Sequence, residues 1–389
     1  MRRAGPVMTI PTVRRASAAV LGVLLAVGGT ALTAPAAAAP PAKTAVIVQL
    51  TPGSDAAAES RRAAANGGGS VAHVYRSVFQ GFAGEFTQSA LDGLRKNPRV
   101  ALIESDAGAT TTETAASWGL DRLDQARLPL NGSYNVPAAA GTGVTAYIID
   151  SGVQRHGDLD EVEAGFDAFS AVGDGTNDCN GHGTHVAGTV AGTRYGVAKQ
   201  AIVVPVRVLD CAGSGTWSGI IAGLDWAAAD HEAGEPAVAN MSLGGPASQS
   251  VDDAVKRLIA DGVTVAVAAG NNNTNACATS PARVPDAITT GATDRTDKRA
   301  SFSNYGSCLD LFAPGVNITS AWLNGATNTI SGTSMAAPHV AGAAAVAIAK
   351  QGVPLTPAQV HASLVSSATV GVLKATGNGS PNRLLFSAP

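Results

Sequence analysis

Four polar residues lie far apart in the chain, each in a short run of glycine and other small residues. They are Asp150 in YIIDSGV, His182 in NGHGTHVAG, Asn271 in VAAGNNN and Ser334 in SGTSMAAPHVAG. An acid, a base, an amide and a hydroxyl are the groups that acyl transfer requires. The serine attacks, the histidine takes its proton, the acid orients the histidine, and the amide stabilises the oxyanion.

Each of these residues also has a purely structural interpretation. Asp150 and Ser334 are of types that often cap helices or fill turns, and Asn271 is of a type that tolerates left-handed backbone in turns. The GxSxG nucleophile motif of α/β-hydrolases is absent, which argues against an esterase of that fold. The four residues indicate a catalytic site only if the fold brings them together.

The histidine pair in HGTH allows three interpretations: a metal site, a tightly packed helix, or a catalytic base. A zinc site of the HExxH type needs a glutamate between the histidines and a third ligand, and neither is present. His185 is followed by apolar residues, so we expect a structural role for it. His182 stands at the start of the expected helix.

Short apolar runs alternate with helical ones after Trp118, and Asp150 and Asn271 come at or just after the ends of two such runs. This alternation predicts an α/β domain with a mostly parallel sheet covered by helices on both faces. Functional side chains in such sheets collect at the carboxyl ends of the strands. The strand candidates are residues 143–150, 201–210, 237–243, 262–270 and 286–293, and two of the helices are expected at 218–231 and 250–262.

The chain has 389 residues, of which 45% are apolar and 14% charged, with a net charge of −3. No basic run in the body of the chain suggests nucleic acid as a partner. Arginines at the N-terminus precede an apolar stretch that ends in APAAAA, which predicts a secretory signal peptide over residues 1–39. The apolar stretch is shorter than the ~20 residues of a membrane span, so we expect a secreted protein without a stable membrane anchor.

Residues 42–105 show the order βαββαβ, which predicts a small ferredoxin-like α+β domain. A polar linker without periodicity follows it. We therefore divide the chain into a signal peptide, a small domain at 40–108, a linker with the mature N-terminus at 109–117, and an α/β domain at 118–389. Four cysteines lie in this last part, Cys179, Cys211, Cys277 and Cys308. An exported chain can form disulfides, and four cysteines allow three pairings.

The motifs named above, together with NMSLGG, resemble those of the subtilase serine proteases, in particular the proteinase K and aqualysin branch. The resemblance runs from SWGLDRLDQ to near the C-terminus. It implies a triad of Asp150, His182 and Ser334, with Asn271 and the Ser334 backbone N–H as oxyanion donors. His185 has no catalytic role in the family.

The resemblance also implies how a peptide binds. An extended substrate would pair as an added strand with two segments, and a third segment would form part of the S1 wall, the side of the pocket for the residue before the scissile bond. The implied residues are Gly213, Ser214 and Gly215; Ser242, Leu243 and Gly244; and Ala268, Ala269 and Gly270. Because no charged side chain is seen in the wall, broad specificity for apolar or aromatic residues is expected.

Three further features follow from the same resemblance. The small domain is similar to the family's propeptide, an inhibitor and folding helper, although an independent binding domain remains the alternative. The aqualysin-like cysteine spacing implies the bridges Cys179–Cys211 and Cys277–Cys308. A calcium ion would be held by Asp310 and by the carbonyls of Pro285 and Ala287, a set of oxygen ligands that suits this cation.

We therefore expect a secreted, monomeric serine endopeptidase made as a self-processing precursor and acting on proteins or peptides. Two other classes stay open. A catalytically silent binding protein on this scaffold should lack a triad member, and none is missing. An esterase that uses the same triad would differ in its relative turnover of amides and esters.

Overall fold

A computed structural model describes residues 42–65, 68–76, 79–105, 112–114, 116–351 and 355–387. The predicted signal peptide and residues 109–111 and 115 of the predicted linker lie outside these residues. The chain forms two compact units, Met1–Gly108 and Ala109–Pro389. Within the described ranges, no helix is both long and apolar enough to cross a membrane.

The N-terminal unit has the predicted βαββαβ order. Its elements are β1 (Lys43–Leu50), α1 (Ala56–Ala65), β2 (Gly69–Tyr75), β3 (Gly81–Thr87), α2 (Gln88–Arg95) and β4 (Val100–Ser105). The strands pair antiparallel in the order β2-β3-β1-β4. Val48, Phe82 and Phe86 of the sheet are buried against Leu91 and Leu94 of α2. The amphipathic pattern of α2 therefore produces a small core of its own.

The second unit contains the remaining elements. Its helices are α3 (Trp118–Leu123), α4 (His182–Ala191), α5 (Trp217–Asp230), α6 (Gln249–Asp261), α7 (Thr333–Gln351) and α8 (Pro357–Ser367). Its strands are β5 (Thr112–Thr114), β6 (Ser133–Asn135), β7 (Thr145–Asp150), β8 (Phe166–Asp167), β9 (Ile202–Arg207), β10 (Ala237–Met241), β11 (Gly245–Pro246), β12 (Thr264–Ala268), β13 (Thr279–Ser280), β14 (Ile288–Thr293), β15 (Leu311–Pro314), β16 (Ile318–Ala321), β17 (Thr327–Ile330), β18 (Thr369–Val370) and β19 (Arg383–Leu384).

Nine strands form the central sheet, in the order β18-β19-β15-β14-β12-β10-β7-β9-β8, and all pair parallel except β18. The predicted α/β class is thus confirmed. The five predicted strands are present but shorter. The first begins at Thr145 because Gly143, with φ +70°, lies in a turn in which the Val144 amide donates to the Gly141 carbonyl.

Helices cover both faces of this sheet, as the continuous apolar strands require. Successive residues of β7 point to opposite sides, so that Ile148 packs in the core that contains α4 and α7 and Ile149 in the core that contains α5 and α6. Helix α7 is rich in alanine and is buried along most of its length. The carboxyl ends of the parallel strands therefore lie along one edge of the sheet, and Asp150 is the last residue of β7.

Both disulfides implied by the resemblance are present. Cys179 is bonded to Cys211 and Cys277 to Cys308, with separations of 32 and 31 residues. Closing a loop of this length stabilises the fold by about 3 to 4 kcal/mol in the chain-entropy treatment. The second bridge ties the segment after β12 to the segment that precedes β15.

Candidate active site

The structure brings Asp150 and His182 into direct contact. His182 Nδ1 lies 2.8 Å from Asp150 Oδ1, and Asp150 is fully buried. The Ser151 backbone N–H also donates to this oxygen, at 2.7 Å. Burial lowers the pKa of His182, but the charge and hydrogen bond of Asp150 raise it by more, so the net pKa is above its ordinary value. The imidazole is thus oriented by a buried carboxylate, as a general base requires.

Glycines allow the helix that carries His182 to approach the end of β7. Gly181 precedes the helix with φ +97°, in the left-handed region that favours glycine. A Cβ atom on Gly183 would come within 2.0 Å of the Gly152 carbonyl oxygen. The side chain of His182 keeps 24% of its surface exposed. The glycine-rich run is therefore explained by close packing around one accessible histidine.

His185 occupies a different environment from His182. It is fully buried, and its Nε2 bonds to the carbonyl oxygen of Ile318 at 3.0 Å. Burial lowers the pKa of His185 to about 4. The ring is thus neutral at pH 7 and acts as a core residue, and no described cluster of His, Cys, Asp or Glu could hold a metal ion.

Ser334 lies in the first turn of α7, one residue after the helix begins at Thr333. Its hydroxyl donates to the carbonyl oxygen of Ser242, 3.1 Å away. Among the described hydrogen bonds there is none between Ser334 and His182, although both side chains line one groove. In this structure the Ser334 hydroxyl hydrogen is therefore directed to Ser242.

Asn271 lies beyond β12, and the start of α7 fixes its side chain. Its Oδ1 accepts from the Thr333 backbone N–H at 2.8 Å and from the Thr333 hydroxyl at 2.9 Å. This leaves the NH2 group as a donor. The position that a Cβ atom on Gly332 would occupy is 3.5 Å from both Asn271 Nδ2 and the Ser334 backbone nitrogen. The two nitrogens thus lie near a common point.

His182, Asn271 and Ser334 border a groove of about 1180 Å³. The groove contains every substrate-binding residue implied by the resemblance: Gly213, Ser214, Gly215, Ser242, Leu243, Gly244, Ala268, Ala269 and Gly270. It also contains residues that the sequence analysis did not name, including Asn180, Leu209, Trp217, Ile220, Pro246, Thr279 and Asn304. Of these, Trp217 follows the GSG segment closely and could have been found as an aromatic residue at a helix start.

Asp310, the carboxylate implied as a calcium ligand, has other partners. Asp310 Oδ2 accepts from the Thr289 backbone N–H at 2.8 Å, and Asp310 Oδ1 lies 3.1 Å from His361 Nε2. The hydrogen bond to Asp310 raises the pKa of His361. The carboxylate and the carbonyls of Pro285 and Ala287 are of the oxygen type that calcium prefers. A cation at Asp310 would compete with the His361 imidazole for this carboxylate.

Each of the two units matches a known protein family. The sequence model of the subtilase family matches residues 141–384, and that of the I9 peptidase inhibitors matches residues 43–112. A solved structure of a cold-adapted subtilisin-like serine proteinase superposes with a TM-score of 0.68 at 52% identity, covering 71% of this chain and 100% of the other.

Two curated relatives illustrate the likeness. An extracellular serine proteinase of Thermus sp. is 54% identical over 82% of this chain and 78% of its own length. An alkaline serine exoprotease A of Vibrio alginolyticus is 49% identical over 82% of this chain and 60% of its own length. The chain therefore belongs to the subtilase family and is a serine-type endopeptidase with an I9 inhibitor domain ahead of its peptidase domain.

Proposed function

We propose that this protein is a secreted endopeptidase that cleaves peptide bonds through Asp150, His182 and Ser334 by way of an acyl-enzyme. The observation that carries the proposal is that His182, bonded to the buried Asp150, meets Ser334 and Asn271 at one groove. These residues are distant in the chain, and capping or turn roles alone would not require them to meet.

The reaction follows from the site geometry. Ser334 turns from Ser242 towards His182, which takes the hydroxyl proton as the oxygen attacks the scissile carbonyl carbon. Asn271 Nδ2 and the Ser334 backbone N–H donate to the oxyanion. His182 then protonates the departing amine, leaving an acyl-Ser334. Water, deprotonated by His182, releases the acid and restores the serine.

The groove supports an extended peptide with an apolar or aromatic residue in S1. Residues 213–215 and 242–244 supply two backbone segments that could flank a substrate strand. Residues 268–270 form the proposed S1 wall. Among the described residues that line the groove, His182 is the only one with an acidic or basic side chain. A charged substrate side chain would thus find no ion-pair partner there.

The N-terminal unit supports synthesis as a precursor. Its match to the I9 inhibitors favours a propeptide at 40–108, released by cleavage between Glu104 and Ala116. The names of the relatives, such as the extracellular proteinase of Thermus sp., support secretion and removal of residues 1–39 as a signal peptide. We further propose a monomer that acts on proteins or peptides, with its own propeptide as inhibitor and without nucleic acid or a stable membrane anchor as partner.

We also propose a structural calcium ion held by Asp310 with the carbonyls of Pro285 and Ala287. The oxygen character of these ligands supports it, and the His361 contact opposes it. The ion would stabilise the fold and would take no part in the reaction.

Removal of one oxyanion donor tests the proposal. If Asn271 Nδ2 stabilises the tetrahedral intermediate, Asn271→Leu should lower kcat on a peptide anilide by roughly 10² to 10³ with little change in KM, the loss seen when such a donor is removed from subtilisin. Active-site titration gives kcat per folded site, and a melting curve serves as control. Wild-type kcat per site would remove Asn271 from the mechanism. Turnover of the matching ester but not of the anilide by the wild type would favour the esterase alternative.

A further inference from the structure

Asn304 forms hydrogen bonds to the loop that carries Asn271, on both sides of that residue. Its side chain is fully buried, and its Nδ2 donates to the Ala269 carbonyl at 2.8 Å. Its Oδ1 accepts from the backbone N–H of Asn272 at 3.1 Å and of Thr274 at 3.0 Å. One amide therefore holds the backbone on both sides of Asn271.

The backbone of Asn304 adds a further hydrogen bond to the same loop. The Asn304 N–H donates to the Gly270 carbonyl at 2.8 Å. Gly270 has φ +100°, and a Cβ atom there would come within 2.4 Å of Asn304 Nδ2. A side chain at position 270 would thus meet both backbone strain and the amide. The glycine before Asn271 lets Asn304 approach this closely.

The loop needs such a support because β12 ends at Ala268, three residues before Asn271. The Thr333 backbone N–H holds the Asn271 Oδ1. The direction of the side-chain amide also depends on the position of the Asn271 backbone. An oxyanion donor must be held close to its productive position before the reaction, since reorganisation during the reaction costs catalysis.

We propose that Asn304 is a positioning residue that holds Asn271 in place to donate to the oxyanion. The inference rests on the proposed function, since it assigns Asn304 an effect that acts through the Asn271 amide. A residue that merely stabilised the fold would affect the amount of active enzyme and leave kcat per site unchanged.

The test is a double-mutant cycle between Asn304 and Asn271 on the mature enzyme. We expect Asn304→Ala to lower kcat per titrated site on a peptide anilide by about 10- to 100-fold, up to the loss caused by removing the donor itself. Affinity for a peptide boronic acid, which mimics the tetrahedral intermediate, should fall by a similar factor. In the Asn271→Leu background, Asn304→Ala should change kcat by less than about threefold, because the side-chain amide that Asn304 positions is absent.

Two variants keep the test informative. Asn304→Asp keeps an acceptor for Asn272 and Thr274 but loses the donor to Ala269, so its kcat should lie between those of the wild type and Asn304→Ala. This variant replaces Asn304→Ala in the test if Asn304→Ala does not fold. Asn382→Ala is the matched control. The Asn382 side chain bonds to both the N–H and the carbonyl of Leu373, each at 2.9 Å, and it is not among the residues that line the groove. It should lose stability and keep wild-type kcat.

Three results would overturn the inference. If Asn271→Leu lowers kcat but neither Asn304 variant does, Asn304 has no positioning role and the proposed mechanism stands. If the two substitutions multiply independently, Asn304 acts by another route. If Asn271→Leu itself leaves kcat unchanged, both the oxyanion role and the inference fail.

Discussion

Ser334 and Ser242 are joined by two hydrogen bonds of opposite direction. The Ser334 hydroxyl donates to the Ser242 carbonyl at 3.1 Å, and the Ser242 hydroxyl donates to the Ser334 carbonyl at 2.7 Å. Pro338, four residues after Ser334, has no N–H with which to satisfy that carbonyl within α7. The Ser242 hydroxyl supplies the missing donor. The segment after β10 is thereby fastened to the helix that carries the proposed nucleophile.

The pH profile should reflect His182. Because its pKa is raised above the ordinary value of 6.5 and the base must be neutral, kcat/KM should rise with pH through a midpoint above 6.5. Asp150→Asn removes the charge that raises this pKa, so the midpoint should fall while kcat drops roughly 10⁴-fold. Initial rates on a peptide anilide from pH 5 to 10 measure both. A wild-type midpoint below 6.5 would contradict the assignment.

Acid should destabilise the folded domain through His185 and His339. Burial lowers the pKa of each to about 4, whereas an unfolded histidine titrates near 6.5. Between these pH values the unfolded chain binds protons that the folded one does not. Stability should therefore fall as pH falls from 6.5 to 4, by about 3 kcal/mol for each histidine.

Urea unfolding of inhibited mature enzyme at pH 7 and pH 4.5 measures this loss. His185→Gln and His339→Gln should each lose less stability between the two pH values than the wild type, whatever their stability at pH 7. His156→Gln, at a partly exposed position, is the control. Equal pH dependence in all four proteins would exclude the two buried rings as the cause.

Calcium should stabilise the mature domain if Asp310 binds it. A cation bound only by the folded state adds about 2.7 kcal/mol at one hundred times its dissociation constant. The calcium-dependent rise in Tm should vanish in Asp310→Ala and grow in His361→Ala, since the imidazole that competes for Asp310 is then absent. A chelator effect of the same size in Asp310→Ala and the wild type would place any calcium elsewhere.

Precursor processing should depend on Ser334. If the chain's own active site cleaves the linker, the cut should fall between residues 104 and 116. The Ser334→Ala precursor should then accumulate without this cut. N-terminal sequencing and intact mass of the secreted protein locate the bond. Normal maturation of this variant in a host without related proteases would show that another enzyme makes the cut.

Periodicity was enough to predict the α/β class and the five central strands. The family resemblance of the motifs was needed to name the substrate-binding residues, and these were only part of the groove lining. The other four strands of the central sheet, β8, β15, β18 and β19, were not predicted, since runs of two to four residues give little periodicity. Asn304 was missed because it lies 33 positions after Asn271 and belongs to none of the motifs quoted from the sequence. His361 was missed because a lone histidine on a helix carries no sign of its distant partner.

Labelling of the mature enzyme with a fluorophosphonate, which reacts with activated serines, tests the central claim most directly. A nucleophile activated by the Asp150–His182 pair predicts one adduct per chain, located at Ser334 by peptide mapping, with parallel loss of peptide anilide hydrolysis. His182→Ala should label far more slowly, and Ser334→Ala should neither label nor hydrolyse. An adduct at another serine, or residual wild-type hydrolysis by Ser334→Ala, would contradict the triad.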